Sequence, residues 1–264
     1  MPAPRPSGFV FVLLTSLYFS QGLPAGLLAH ALPAMLRQYQ VSLEYIGLLE
    51  LLALPWMLKF IWAPYVDRFH FRSTGPHRSW ILPMQASVIL LLIALSQFDP
   101  GQIFQAYLVP FFAILLLFNV CSATQDIATD GLTIKLLPSE WRGLGNSIQV
   151  SGYKLGMIIG GSLLLLAIDR IGWQLSFLIL AGMLLLLTIP ALVLREPPDI
   201  NAPEVPASRA RSPLFLWHSH LAFFRQPGLG LWIEVLVSYK LGDSVGSGMV
   251  KPCLLYTSPS PRDS

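Results

Sequence analysis

Gly8-Phe-Val-Phe-Val-Leu-Leu-Thr-Ser-Leu-Tyr-Phe-Ser-Gln-Gly-Leu-Pro-Ala-Gly-Leu-Leu-Ala-His-Ala-Leu-Pro-Ala-Met-Leu36 contains no Asp, Glu, Lys or Arg. A helix crossing the hydrocarbon core needs about 20 apolar residues, so this stretch spans a bilayer with turns to spare. No small-residue cleavage site follows a short apolar core, so it reads as a retained first span and not a removed leader. Gly22, Pro24, Gly26 and Pro33 interrupt it. Such residues persist in a span where neighbouring helices satisfy the freed carbonyls.

The rest of the chain has the same character. Of 264 residues, 54% are hydrophobic and 12% charged, against about 25% charged in a soluble domain. The mean hydropathy is +0.60. Disorder is excluded, because disordered chains are polar and poor in aromatics. A net charge of +3 without a basic patch excludes a nucleic-acid partner. Cys121 and Cys253 form no CxxC or Cys/His cluster, so neither a disulfide framework nor a metal site is expected. Cys121 reads as a packing residue.

Six further apolar segments are expected, near 46–66, 79–98, 103–137, 143–168, 173–194 and 228–250. The fold class is therefore all-α, a polytopic transmembrane helical bundle with the lipid bilayer as its solvent. Residues 1–195 read as a six-helix half, 196–226 as a cytoplasmic linker and 227–252 as a seventh span. Cys253 to Ser264 resembles a translated sequencing-library adapter, so the expectation is a truncated fragment that lacks a second six-helix half. With the N-terminus inside, Arg5, Arg68, Arg72, Arg78, Lys135, Arg142, Arg195, Arg209, Arg211 and Arg225 lie on the cytoplasmic side, and only Arg37 and Arg170 outside. The positive-inside rule selects that orientation.

Charges inside spans are costly and mark function by default. Here they are Glu50, Lys59, Asp126, Asp130, Lys154, Glu234, Lys240 and Asp243. Asp126 and Asp130 share one helix face and repel unless a proton or a cation intervenes. Lys154, near mid-depth of its span, is the expected cation. Glu50 and Lys59 fall on opposite faces and cannot pair, and Lys59 is expected to reach the inner interface. Glu50 reads as a proton carrier or an outer-vestibule group. Asp126, Asp130, Lys154, Asp243 and Glu50 are thus the proton-coupling or ion-pair candidates. Tyr18, Gln21, Asn146 and Gln149 are candidates for the solute path, and His30 for satisfying a neighbour. Gly152, Gly156 and Gly160, four apart, predict close helix packing. No GxSxG, HExxH, P-loop or dinucleotide fingerprint is present, so no cofactor is implied.

Ala63-Pro-Tyr-Val-Asp67-Arg68, followed by basic residues, resembles the signature between helices 2 and 3 of the major facilitator superfamily, with Ala63 where Gly is usual. That resemblance makes Asp67, Arg68 and Arg78 a gating loop. Tyr18-Phe-Ser-Gln-Gly-Leu-Pro24, Pro55-Trp-Met-Leu-Lys-Phe-Ile-Trp-Ala-Pro64, Ser122-Ala-Thr-Gln-Asp-Ile-Ala-Thr-Asp130, Gly152-Tyr-Lys-Leu-Gly-Met157 and Tyr239-Lys-Leu-Gly-Asp243 together resemble the AmpG-like branch, muropeptide permeases and related siderophore permeases of the RhtX/FptX type. Asp130-Gly131 and Gly143-Leu-Gly-Asn-Ser-Ile-Gln149 lean toward the siderophore group. The resemblance implies a proton-coupled importer of a small-molecule or glycopeptide substrate in the bacterial inner membrane. A membrane-embedded enzyme and a non-transporting sensor stay as distant alternatives, the former disfavoured by short outer loops.

Overall fold

The computed structural model describes residues 6–42, 48–69, 75–101, 107–196, 226–239 and 241–242. All secondary structure among them is helical. The chain divides into two units, Met1–Ala202 and Pro203–Ser264. In the first unit α1 is Gly8–Gln38, α3 Arg78–Ser96, α4 Leu108–Leu136, α5 Ser139–Ile171 and α6 Trp173–Val193, and these five are long and apolar enough to cross a membrane. The second expected span begins as a 3₁₀ turn, Leu48–Ala53, and continues as α2, Leu54–Arg68. Its charges and its short regular part keep α2 outside the apolar set. The second unit contains α7, Leu229–Tyr239, a shorter apolar helix. The remainder of the expected seventh span and the 253–264 tail lie outside the described residues.

Side-chain pairings fix the helix directions. Trp56 meets Asn119 and Trp62 meets Thr124, so α2 and α4 run parallel. Tyr18 meets Asp130 and Ser20 meets Gln125, so α1 and α4 run antiparallel. The Arg78 guanidinium reaches the end of α6, and the Trp173 indole at the start of α6 donates to the Leu95 carbonyl near the end of α3. That pair too is antiparallel. The bundle therefore alternates up and down, which places Arg68, Arg78, Lys135, Arg142 and Arg195 at one end and Arg37 and Arg170 at the other.

Two large apolar clusters fill the interior, beside a small one of Leu14, Tyr18 and Leu137. At the basic end Leu13, Leu17, Val66, Ile81, Ile127, Leu132, Ala191 and Leu194 pack together. Toward the other end lie Leu23, Leu27, Val88, Leu92, Leu115, Phe118, Phe177 and Leu184. Between them in α1, α3, α4 and α6 sit polar residues, Ser20 and Gln21, Gln85, Ser122 and Gln125, and Thr188, all buried. The outward faces carry Val12, Met57, Leu90, Val109, Leu166 and Leu186, all well exposed, as lipid-facing surfaces require. Cys121 is buried in the second cluster, as a packing residue should be.

α1 and α5 make the closest contact. A Cβ at Gly26 would overlap the Met157 carbonyl, and one at Gly160 the Leu23 carbonyl. Gly156 and Gly160 thus have the packing role expected from their spacing, with α1 as the partner. Each helix contains one π turn, Leu27–Ala31 in α1 and Ile159–Leu163 in α5, and these two turns touch.

Candidate functional site

The strings Pro55–Pro64 and Ser122–Asp130 meet along the α2/α4 contact. Trp56, Lys59 and Trp62 recur every third residue and so share one face of α2. The Trp56 indole donates to Asn119 Oδ1 at 3.1 Å and the Trp62 indole to Thr124 Oγ1 at 3.2 Å. Between them the Lys59 ammonium pairs with Asp126 Oδ2. Its Nζ also sits 5.6 Å from the Trp56 ring centroid, within cation–π range. Asp126 is nearly enclosed, its side chain 8% exposed against 32% for Lys59.

Asp130, one turn further along α4, faces different neighbours. Four residues advance a helix by about 400°, so the two acids splay by about 40°. Asp130 Oδ1 accepts from the Tyr18 hydroxyl at 3.0 Å and the Gln149 amide at 3.2 Å. Tyr18 also shares a 2.8 Å hydrogen bond with Thr133. Asp130 is therefore held by neutral donors from α1 and α5, and Asp126 by a cation from α2.

These contacts correct two sequence expectations. Lys154 does not pair with either acid: it lies in a separate pocket with His30, Met157, Ile158 and Ser162. Lys59 does not reach for the interface but takes that place. Depth along its own helix made Lys154 the natural partner. Depth carries no information about which helix lies opposite, and α2 presents Lys59 to α4.

The other candidates are distributed as follows. Gln21 is buried, and its amide nitrogen has no partner among the described residues. Asn146 is exposed. Glu50 falls in the 3₁₀ turn before α2, and its side chain, with Lys240 and Asp243, lies outside the described residues. Glu234 is exposed on α7.

Of the expected gating loop, Asp67, Arg68 and Arg78 are described, and residues 70–74 between them lie outside the described residues. Arg78 Nη1 donates to the Leu194 carbonyl at 2.9 Å and Nη2 to Leu192 at 2.6 Å. It so satisfies the carbonyls that a helix C-terminus leaves free. Glu196, which sequence reasoning passed over as linker, is the hub. It accepts from His77 Nδ1 at 2.7 Å, from Lys135 Nζ at 3.1 Å and from the backbone amides of His77 and Arg78. Burial works to raise its pKa, but these bonds and the charge of His77 outweigh it and hold the carboxyl below the ordinary value. Asp67 ends α2 beside Arg68, and among the described residues it forms no ion pair with Arg78. The available signal for Glu196 was an acid directly after Arg195, at the end of the sixth apolar run.

An alternating helical bundle with paired and hydrogen-bonded carboxylates in its apolar interior defines a multi-pass membrane protein with a polar site at its core. A family model described as Acetyl-coenzyme A transporter 1 matches residues 10–171, and the chain belongs to that family. Over 245 residues it is 32% identical to an anhydromuropeptide permease of Escherichia coli K12, an alignment that covers 92% of this chain and 48% of that protein. An uncharacterized protein of Haemophilus influenzae is 34% identical over 231 residues, 86% of this chain and 52% of its own. A protein named Putative transporter AmpG 4 in Rickettsia conorii is 27% identical over 236 residues, 88% and 56% respectively. The chain spans about half the length of these relatives. The names of the E. coli and Rickettsia relatives agree with the AmpG-like resemblance of the motifs.

Proposed function

We propose that this chain is part of a secondary active transporter that imports anhydromuropeptides across the bacterial inner membrane, driven by protons. The observation that carries the reading is the constellation of Lys59, Asp126 and Asp130, with Asp126 buried and the other two half-buried. With both acids ionised it holds one uncompensated negative charge in an apolar interior, and one proton removes it. Asp130 takes the proton, because its partners are neutral. Asp126 stays ionised against Lys59. The motif strings shared with the AmpG-like branch and the names of the E. coli and Rickettsia relatives support muropeptide as the solute and transport, not catalysis, as the activity.

In this reading residues 1–195 form one half of a twelve-helix carrier, 196–226 a cytoplasmic linker and 227–252 the first span of the second half. The N-terminus is cytoplasmic, because the end bearing Arg68, Arg78, Lys135, Arg142 and Arg195 is the positive side. Solute binds between the halves near mid-membrane, a common placement in such carriers. The test is uptake of radiolabelled N-acetylglucosaminyl-anhydromuramyl tripeptide by proteoliposomes containing the complete transporter. Accumulation that an inward proton gradient drives and a protonophore collapses is the expected result. Accumulation indifferent to the gradient would remove proton coupling, and none under any condition would remove the substrate.

A further inference from the structure

The α1/α5 seam contains a second site that the acid cluster does not use. His30, Lys154, Met157, Ile158 and Ser162 line a cavity of about 200 Å³. His30 lies in the π turn of α1 and Ser162 in that of α5. A π turn inserts an extra residue into the helical repeat and recurs at functional sites. Two of them touch here, directly beside the glycine contact that brings both backbones together. Lys154 stands one turn before Ile158 on the same face of α5.

The charge balance of this site is unusual. Lys154 and His30 are exposed on a flank whose neighbours, Leu155 and Ile158, are themselves more than half exposed. Neither has a hydrogen-bond or ion-pair partner among the described residues. An ammonium near the middle of a spanning helix is costly without a counter-charge, and Asp126 and Asp130 are engaged elsewhere. The cavity is smaller than the roughly 300–1,000 Å³ of a complete small-molecule site. It accommodates one functional group and not a whole solute.

We propose that the pocket formed by Lys154, His30 and Ser162 binds a single oxyanion, with Lys154 supplying the charge and His30 and Ser162 hydrogen bonds. Two sources present such a group: a peptide carboxylate of the transported solute, or the phosphate of an anionic phospholipid. The first rests on the transport reading above. The pocket is separate from the proton-carrying cluster, so anion recognition and coupling are mutable independently.

The experiment uses the complete transporter in proteoliposomes. Uptake of anhydromuramyl tripeptide is compared with that of the same tripeptide amidated at its carboxylates, for wild type, Lys154→Gln and Lys154→Arg. Loss of one charged hydrogen bond corresponds to roughly 10- to 100-fold in affinity. If the solute carboxylate occupies the pocket, Lys154→Gln raises the half-saturating concentration of the acid form by about that factor. It leaves the amide form unchanged, and Lys154→Arg restores the acid form. If a headgroup occupies it, Lys154→Gln leaves both solutes unchanged but loses the phosphatidylglycerol retained by wild type in native mass spectrometry. An equal effect on acid and amide forms, or no effect on solute or lipid, overturns the proposal. Failure of the wild type to transport either tripeptide overturns the transport reading instead, and the lipid measurement still decides on the oxyanion site.

Discussion

Asp126 and Asp130 show how a splay of about 40° separates two otherwise identical groups. Asp126 turns to Lys59 and Asp130 to Tyr18 and Gln149. Removing one partner of a buried pair strands the other charge, at a cost of about 3–5 kcal/mol. Lys59 is one-third exposed, so Lys59→Met should cost near the lower end, about 3 kcal/mol. The double variant Lys59→Met/Asp126→Asn should recover much of the loss. Thermal unfolding in detergent checks both, and a double variant no more stable than the single would show that the pair is not the source. Tyr18→Phe removes a donor to Asp130 while keeping the ring. It should change the pH dependence of uptake, since Asp130 loses a hydrogen bond. An unchanged pH profile would detach Tyr18 from the coupling group.

Among the elements, the α1/α5 seam has the least tolerance. Gly160→Ala forces the added methyl into the Leu23 carbonyl, where backbone must move, and overpacking of this kind costs about 1–3 kcal/mol. Gly182→Ala on α6 meets nothing within 4 Å and should be neutral or stabilising by up to about 1 kcal/mol. Equal stability of the two variants would mean that the helices do not touch as described. On α3, Gln85 is fully buried, and neither amide atom has a partner among the described residues. Gln85→Met should therefore be neutral or stabilising, by about 1 kcal/mol, whereas a loss of that size would reveal an amide that is hydrogen-bonded. The seam was half legible in the sequence. Glycines at 152, 156 and 160 announce a close contact, but a periodic stripe says nothing of its partner. The same blindness assigned Lys154 to the acids. A charge near mid-helix states that a partner is needed, and only the packing of α2 on α4 states that Lys59 meets it.

For the molecule as a whole, composition and apolar run length were enough for the all-α membrane class. The second expected span is described from Leu48 on, and its regular part, Leu54–Arg68, is shorter and more charged than the five apolar helices. The basic end is closed by Glu196, bonded to His77 and Lys135, and by Arg78 on the last carbonyls of α6. Because the folded state lowers the pKa of Glu196, its contribution to stability is complete above its ordinary value of 4.5. That contribution fades as pH falls through the lower folded value. Glu196→Gln should therefore lower stability at pH 7 and narrow the difference from wild type under acid. A difference constant with pH would contradict the ionised hub. Asp67→Asn, at the foot of α2, should slow transport while leaving solute binding largely intact, and unchanged rates would take Asp67 out of the gate.

The central claim, that Asp130 holds the coupling proton beside an ionised Lys59–Asp126 pair, is tested most directly by Asp130→Asn in the complete transporter. Uphill uptake under a proton gradient and equilibrium solute exchange without one are measured on the same proteoliposomes. Loss of gradient-driven accumulation with exchange retained is the predicted result. Full accumulation by the Asn variant would contradict the claim.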